Sequence, residues 1–168
     1  MRPEWQIRPA RPGDRAALHT VYAAAFGQTA EALLVERLQE DGDLLLSLVA
    51  FTDEPVGHIA FSHLTMPEIP TVRACALAPL AVDPAWQKKG LGSALVDEGL
   101  RDLKEAGLDL VVVLGEPTYY RRFGFTAQAA KPLRTPYDGP YLQALALSDE
   151  GHLARGPISY ARAFAELR

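Results

Sequence analysis

The run Leu80-Ala81-Val82-Asp83-Pro84-Ala85-Trp86-Gln87-Lys88-Lys89-Gly90-Leu91-Gly92-Ser93-Ala94-Leu95 constrains this chain more than any other segment. An apolar strand enters a turn at Asp83-Pro84-Ala85-Trp86, and a helix opens on two glycines one residue apart. The first turn of a helix carries N–H groups with no intrahelical acceptor, and the aligned peptide dipoles leave partial positive charge there. Glycine removes the Cβ atoms that would hold a phosphate away. Gly90 and Gly92 therefore read as an anion cradle, with Lys88 and Lys89 adding full charges beside it. Taken alone, a Gly-x-Gly is equally a tight loop with no chemistry. The better-known phosphate loops do not fit. A dinucleotide fingerprint wants a third glycine where Leu95 stands and an acid ending the next strand, which Asp109 opens instead. A P-loop is excluded because no Gly-Lys-Ser/Thr occurs.

The hydrophobic period places this segment in an α/β frame. Leu18, Val21, Tyr22 and Ala25 fall at helical spacing after the turn Pro12-Gly13-Asp14, with Asp14 a candidate N-cap. A second helix runs over 29–38 and stops at Asp41-Gly42-Asp43. Residues 44–51 and 56–64 read as an antiparallel hairpin, and 74–82 as a strand that Pro79 interrupts. Proline has no N–H to give a ladder, so the strand is expected to bulge or splay at that point. An amphipathic helix over 90–106 and a continuous apolar strand over 108–114 complete a strand–helix–strand crossover. Residues 117–122 suit a short helix begun by proline, 131–140 a Pro-rich surface connection, and 141–147 and 158–160 closing strands. No repeat or linker interrupts the chain, so 1–168 is expected to be a single domain.

Charge narrows the partners. With 17 Lys and Arg against 21 Asp and Glu, the chain has no excess of cations with which to bind a DNA backbone, so no nucleic acid is expected. The acids are concentrated early: residues 1–70 hold 5 Lys/Arg against 10 Asp/Glu, and residues 71–168 hold 12 against 11. A polyanion sits more comfortably on the second part, where Lys88-Lys89 and Arg121-Arg122 are either ligand contacts or solvated surface. Arg2, Glu4 and Arg8 interrupt the start of the chain, so no secretory signal or membrane span is read there, and a cytoplasmic location is expected. Cys75 has no partner for a disulfide and lies among apolar neighbours, which makes it a core thiol. His58 and His63, five apart on a strand, point to opposite faces and cannot share a metal, so no metal site is expected.

Gln87-Lys88-Lys89-Gly90-Leu91-Gly92 resembles the Q/R-x-x-G-x-G/A loop of the GNAT acetyltransferases. Tyr119-Tyr120-Arg121-Arg122-Phe123-Gly124-Phe125 resembles the Tyr-x-x-x-Gly-Phe element of that superfamily, and Gly115-Glu116-Pro117 before a tyrosine pair is similar to its YhbS-like branch. The two motifs occur in the family's order and spacing. The resemblance is strong over 74–125, extends through 7–64 and fades beyond Thr126.

The resemblance implies a GNAT-like α/β fold: a mixed, partly splayed sheet with helices on both faces. It implies acetyl-CoA as cosubstrate and an amine acceptor, a small molecule or a protein amine, that attacks the thioester directly. The backbone of Leu80, Ala81 and Val82 would pair with the pantetheine arm like an added strand. Gln87, Lys88, Lys89, Gly90, Leu91, Gly92 and Ser93 would hold the pyrophosphate, and Arg121 and Arg122 would join the lysines at the anionic nucleotide end. A backbone N–H near Val82 would meet the oxyanion.

The family's general acid is the tyrosine four residues before the Gly of Gly-Phe, here Tyr120. A tyrosine pKa of ~10 lies above a thiol's ~8.5, so donation to the departing thiolate needs a suitable local environment. Tyr119 reads as packing. This chain departs from the family where an Asn and a full helical turn precede that tyrosine, because Gly115-Glu116-Pro117 intervenes. Glu116 is thereby a candidate base or ammonium anchor, and equally a cap of the following helix. Phe26-Gly27-Gln28-Thr29 corresponds to one wall of the family's acceptor site, residues 131–140 read as a surface connection before they read as the opposite wall, and homodimers are common in the family. Two other readings stay open: an acyl-CoA-binding sensor without a productive acid, which Tyr120 would distinguish, and a nucleotide-binding module using Gly90-Leu91-Gly92.

Overall fold

Apolar period and turn chemistry cut the chain into short elements. In the computed structural model, which describes residues 4–166, these run β1 (Gln6–Pro9), α1 (Arg15–Phe26), α2 (Ala30–Glu40), β2 (Leu44–Phe51), β3 (Pro55–Thr65), β4 (Ala74–Val82) and α3 (Leu91–Glu105). They continue with β5 (Leu110–Leu114), α4 (Pro117–Tyr120), α5 (Ala127–Ala130), β6 (Leu133–Arg134), β7 (Leu142–Ala146), α6 (Asp149–His152), β8 (Gly156–Pro157) and β9 (Ser159–Tyr160). Seven strands make one mixed sheet in the order β1-β2-β3-β4-β5-β7, with β9 pairing β3, and β6 pairs β8 separately. Only β4 and β5 are parallel within the large sheet's described registers; β1–β2, β5–β7 and β3–β9 are antiparallel. Among the described residues no helix is long and apolar enough to cross a membrane.

The described chain divides into two compact units, and the first is built from residues 4–61, 78–99 and 162–166. Leu18, Val21 and Tyr22 of α1 and Ala32 of α2 bury against Val49 of β2 and Ala81 of β4. Adjacent residues of β3 face opposite sides, as the pleat requires. A Cβ on Gly57 would lie 2.5 Å from Leu91 Cδ2 and 3.2 Å from Leu95 Cδ1, whereas His58 packs edge-on against Tyr22 of α1. Helices thus cover both faces of β3, and Gly57 lets the start of α3 lie directly on the strand. Asp14 stands at the N-cap of α1 as expected, but its side chain makes no cap hydrogen bond to that helix. Its carboxylate accepts from Arg8 Nη1 and Nη2 at 2.7 and 2.8 Å and from the Arg11 N–H at 2.7 Å.

The second unit comprises Ser62–Leu77 and Leu100–Ala161. Ala74↔Leu110 through Leu77↔Val113 pair in parallel, and Leu110↔Ala146 through Leu114↔Leu142 pair antiparallel. Ala74, Ala76, Leu110, Val112, Leu142 and Ala144 form one buried face with Ala130 of α5, Leu133 of β6 and Ala154. The strand expected at 108–114 begins only at Leu110, because the Leu108 N–H closes α3 onto Leu103 O at 3.0 Å and the Asp109 N–H bonds Arg73 O. The expected 117–122 helix is two pieces, α4 and a 3₁₀ turn over Arg121–Phe123 that Gly124 ends with φ 100°. Within the Pro-rich connection at 131–140, Leu133 and Arg134 pair in parallel with Gly156 and Pro157.

Candidate active site

β4 carries the splay. Its register with β5 stops at Leu77↔Val113, while β4 itself continues five residues to Val82. Ala74 through Leu77 are buried, and beyond them Ala78, Leu80 and Val82 are half-buried while Pro79 and Ala81 are buried. Leu80, Ala81 and Val82, which the resemblance would pair with the thioester arm, thus lie beyond the parallel pairing.

The turn after β4 is held by its own side chains. Asp83 accepts from the Ala85 N–H at 2.9 Å, and Gln87 Nε2 donates to the Val82 carbonyl at 3.0 Å. Gln87, expected among the ligand contacts, uses one of its two amide N–H groups to close the turn. Lys88 follows at φ 63°, a left-handed conformation that costs a non-glycine residue, and Gly90 at φ 86°. A Cβ on Gly90 would meet nothing within 4 Å, so the requirement for glycine there is conformational.

Gly90 caps α3, its carbonyl accepting the Ala94 N–H at 3.0 Å. The amides of Leu91 and Gly92 precede that first intrahelical bond and lie at the positive end of a 15-residue helix. Leu91 and Leu95 are buried and fix the helix on β3. Lys88 and Lys89 are exposed, and Lys89 Nζ lies over the Trp86 ring, 5.1 Å from its centroid. The chemistry fits a doubly charged anion: backbone donors, helix dipole and two lysines in a single turn.

In the other unit, Glu116 leads from β5 into α4. Its carbonyl accepts the N–H groups of Tyr119 and Tyr120, both at 3.1 Å. Glu116 holds the N-cap position of α4, but its side chain is exposed and makes no cap hydrogen bond, which leaves a carboxylate open to solvent. Tyr119 and Tyr120 are perpendicular neighbours, 5.0 Å between centroids, with different surroundings. Tyr120 packs edge-on against buried Phe125 at 5.8 Å, and burial lifts its hydroxyl to about 12. Tyr119 carries the Arg122 guanidinium over its face at 4.6 Å. Arg122 is thereby partly engaged by aromatic rings, while Arg121 is exposed beside it. Among the described residues no cluster of three or more His, Cys, Asp or Glu could hold a metal ion.

A model of the Acetyltransferase (GNAT) family matches residues 9–125. The chain belongs to the GNAT acetyltransferase family. It is 41% identical over 135 residues to the Uncharacterized N-acetyltransferase YhbS of Escherichia coli K12, covering 79% of this chain and 80% of that protein. The crystal structure of YhbS in complex with CoA superimposes with a TM-score of 0.88 at 36% identity, covering 96% of this chain and 92% of that one. A GNAT family acetyltransferase from Brucella melitensis, solved with acetyl-CoA, gives a TM-score of 0.80 at 36% identity, covering 95% and 97%.

One buried group of this GNAT chain was not legible from sequence. His58 sits between two hydroxyls, Tyr22 Oη at 2.5 Å from Nδ1 and Ser47 Oγ at 2.6 Å from Nε2. A neutral ring donates at one nitrogen and accepts at the other, which satisfies both. Burial pushes the imidazole down to about 4, against a small opposing pull from Asp14. Because the folded pKa lies below the unfolded ~6.5, only the unfolded chain takes up this proton between those values. Stability should be constant above pH ~6.5 and fall by about 3 kcal/mol as pH drops to about 4. Urea midpoints at pH 7 and 4.5 measure this, and His58→Gln should flatten the slope. Asp14, held low by Arg8, contributes its own loss only at lower pH.

Proposed function

We propose that this chain transfers an acetyl group from acetyl-CoA to an amine acceptor, a small molecule or a protein amine, by direct attack on the thioester. The observation that carries the reading is the glycine-capped start of α3 behind the left-handed Lys88–Gly90 turn, at the end of a strand whose last five residues outrun their parallel partner. Helix N-termini of this kind favour a pyrophosphate through backbone N–H groups and the helix dipole. The relatives solved with CoA and acetyl-CoA supply the identity of the anion.

In this reading the acceptor's lone pair attacks the thioester carbonyl, a C–N bond forms and the C–S bond breaks. Tyr120 gives its proton to the departing sulfur, and the proton that the newly acylated nitrogen sheds returns through solvent to the tyrosine oxygen. With its hydroxyl at about 12, Tyr120 keeps that proton at every working pH. Transfer to a thiolate of ~8.5 is uphill, so the proton moves as the C–S bond breaks and not before. Glu116, exposed and uncommitted to capping, is assigned to the incoming ammonium, taking its proton or anchoring it. The backbone near Val82 is assigned to the oxyanion. We further propose one domain over 1–168, on the support that the family model's span of 9–125 draws on both compact units, together with a homodimer and a cytoplasmic location.

Release of free CoA thiol, followed across a panel of polyamines, aminoglycosides, amino acids and peptide amines, tests activity and acceptor class together. No thiol release with any amine, despite calorimetric binding of acetyl-CoA, would favour the sensor reading. Because Lys88, Lys89, Arg121 and Arg122 are assigned to the nucleotide end, acetyl-CoA affinity should fall as salt rises to about 0.5 M, where the Debye length shortens to roughly 4–5 Å. Dephospho-CoA should bind more weakly than CoA at low salt. Affinities indifferent to both changes would make these four cations surface decoration.

A further inference from the structure

Leu77, Val113 and Gln143 stand in one row across β4, β5 and β7. It is the last row before the β4–β5 register ends, and Gln143 is its only polar member. The side chain is almost fully buried, 1% exposed, so its amide must be satisfied from within. Gln143 Nε2 reaches past the end of β5 to donate to the Gly115 carbonyl at 3.2 Å, with the Tyr141 carbonyl at 3.5 Å. Both neighbours are acceptors, which fixes the amide's orientation. The Gly115 N–H donates in turn to Tyr141 O at 3.0 Å. Gly115 is therefore held through its N–H by Tyr141, which leads into β7, and through its carbonyl by Gln143 of β7.

Gly115 also faces Tyr120. A Cβ built on it would overlap the tyrosine ring and stand 2.9 Å from Cδ2. Gly115 lies outside the left-handed region, so its backbone would accept alanine, and what demands glycine is the ring. Tyr120 is held on another side by Phe125 and from below by the Glu116 carbonyl that receives its N–H. The insertion Gly115-Glu116-Pro117, which departs from the wider family's pattern, is thus what seats the ring.

We infer that Gly115 and Gln143 are positioning residues for Tyr120: Gln143 pins Gly115 at the end of β5, and the bare face of Gly115 sets where the Tyr120 hydroxyl points. This rests on Tyr120 as the proposed acid. In the intact chain, kcat on the best acceptor of the amine panel is measured for Gly115→Ala and Gln143→Leu, each alone and combined with Tyr120→Phe. The acetyl-CoA Kd is measured beside it, and 3-fluorotyrosine at position 120 reports the ring through its ¹⁹F resonance.

Gly115→Ala should lower kcat by about tenfold or more and Gln143→Leu by several-fold, a scale set by sub-ångström misplacement of a proton donor. Kd should hold within about twofold, the resonance should move in both variants, and neither should lower kcat further once Tyr120 is Phe. If Tyr120→Phe is slow while Gly115→Ala and Gln143→Leu turn over like the parent, the positioning role is overturned and the acid assignment stands. A further loss on top of Tyr120→Phe would mean that the substitutions act through the fold at large, and overturns the role too. Full rate in Tyr120→Phe itself removes the acid and this inference with it. Should Gly115→Ala fail to fold, Gln143→Leu decides by the same readings, since it adds no atom beside the ring.

Discussion

Gly92→Asp is expected to abolish measurable acetyl-CoA binding, a loss of at least about a hundredfold, while leaving the chain folded. The physical asymmetry is what makes the result informative. An aspartate in the first turn of α3 suits the helix, because it complements the dipole and replaces a residue of poor helix propensity. The same carboxylate occupies the ground where a pyrophosphate would lie. Two like unit charges about 5 Å apart repel by roughly 3 kcal/mol at an effective dielectric of ~20, about two orders of magnitude in affinity before bulk is counted. The thermal midpoint should therefore be unchanged or slightly raised as the calorimetric signal disappears. Gly92→Ala, carrying bulk without charge, should fall between the two. Wild-type affinity in Gly92→Asp would remove the cradle from the proposed function.

The backbone geometry of the proposed cradle was legible in sequence because it is local. A strand, a turn and a helix start lie within sixteen consecutive residues, and each depends on near neighbours: Pro84 and Asp83 on the turn, Gly90 on a left-handed φ, Leu91 and Leu95 on the buried stripe. β4 was readable to the residue for the same reason. What sequence did not disclose depends on pairing across distance. Gln143 looks like a stray polar residue in Leu142-Gln143-Ala144-Leu145, and only the β5–β7 register puts its amide at Gly115, 28 positions away. Tyr22, Ser47 and His58 come from a helix and two strands, and no spacing rule joins them. The bond from Gln87 Nε2 to the Val82 carbonyl was not legible either, because a polar side chain in such a turn can reach the loop's own carbonyls as readily as a ligand. Beyond Thr126 the elements are two to five residues long, shorter than the windows over which a hydrophobic period can be read.

Tyr120→Phe is expected to lower kcat by ~10²–10⁴ with the acetyl-CoA dissociation constant unchanged. The ring contacts with Phe125 and Phe123 survive the substitution, so packing is preserved and only the hydroxyl is lost. Tyr119→Phe is the matched control. It lies one residue away, about 100° around a helix, and its ring serves as the platform for Arg122 instead of packing against Phe125. It should retain most of the parent rate. The pH dependence adds a second reading of the same residue. A hydroxyl at about 12 stays protonated throughout the usable range, so Tyr120 imposes no alkaline limb on kcat below pH ~10. The rate should instead climb as the acceptor amine loses its proton, toward the ~10.4 of a lysine-type amine. A limb that falls near pH 9 would point to an acid of ordinary pKa elsewhere in the chain. If Tyr119→Phe is the slow variant, the proton comes from the tyrosine stacked on Arg122, and the Tyr-x-x-x-Gly-Phe register shifts by one. If both variants keep the parent rate, the thiolate leaves without a protein acid, and what remains of the mechanism is binding at the start of α3 and direct attack.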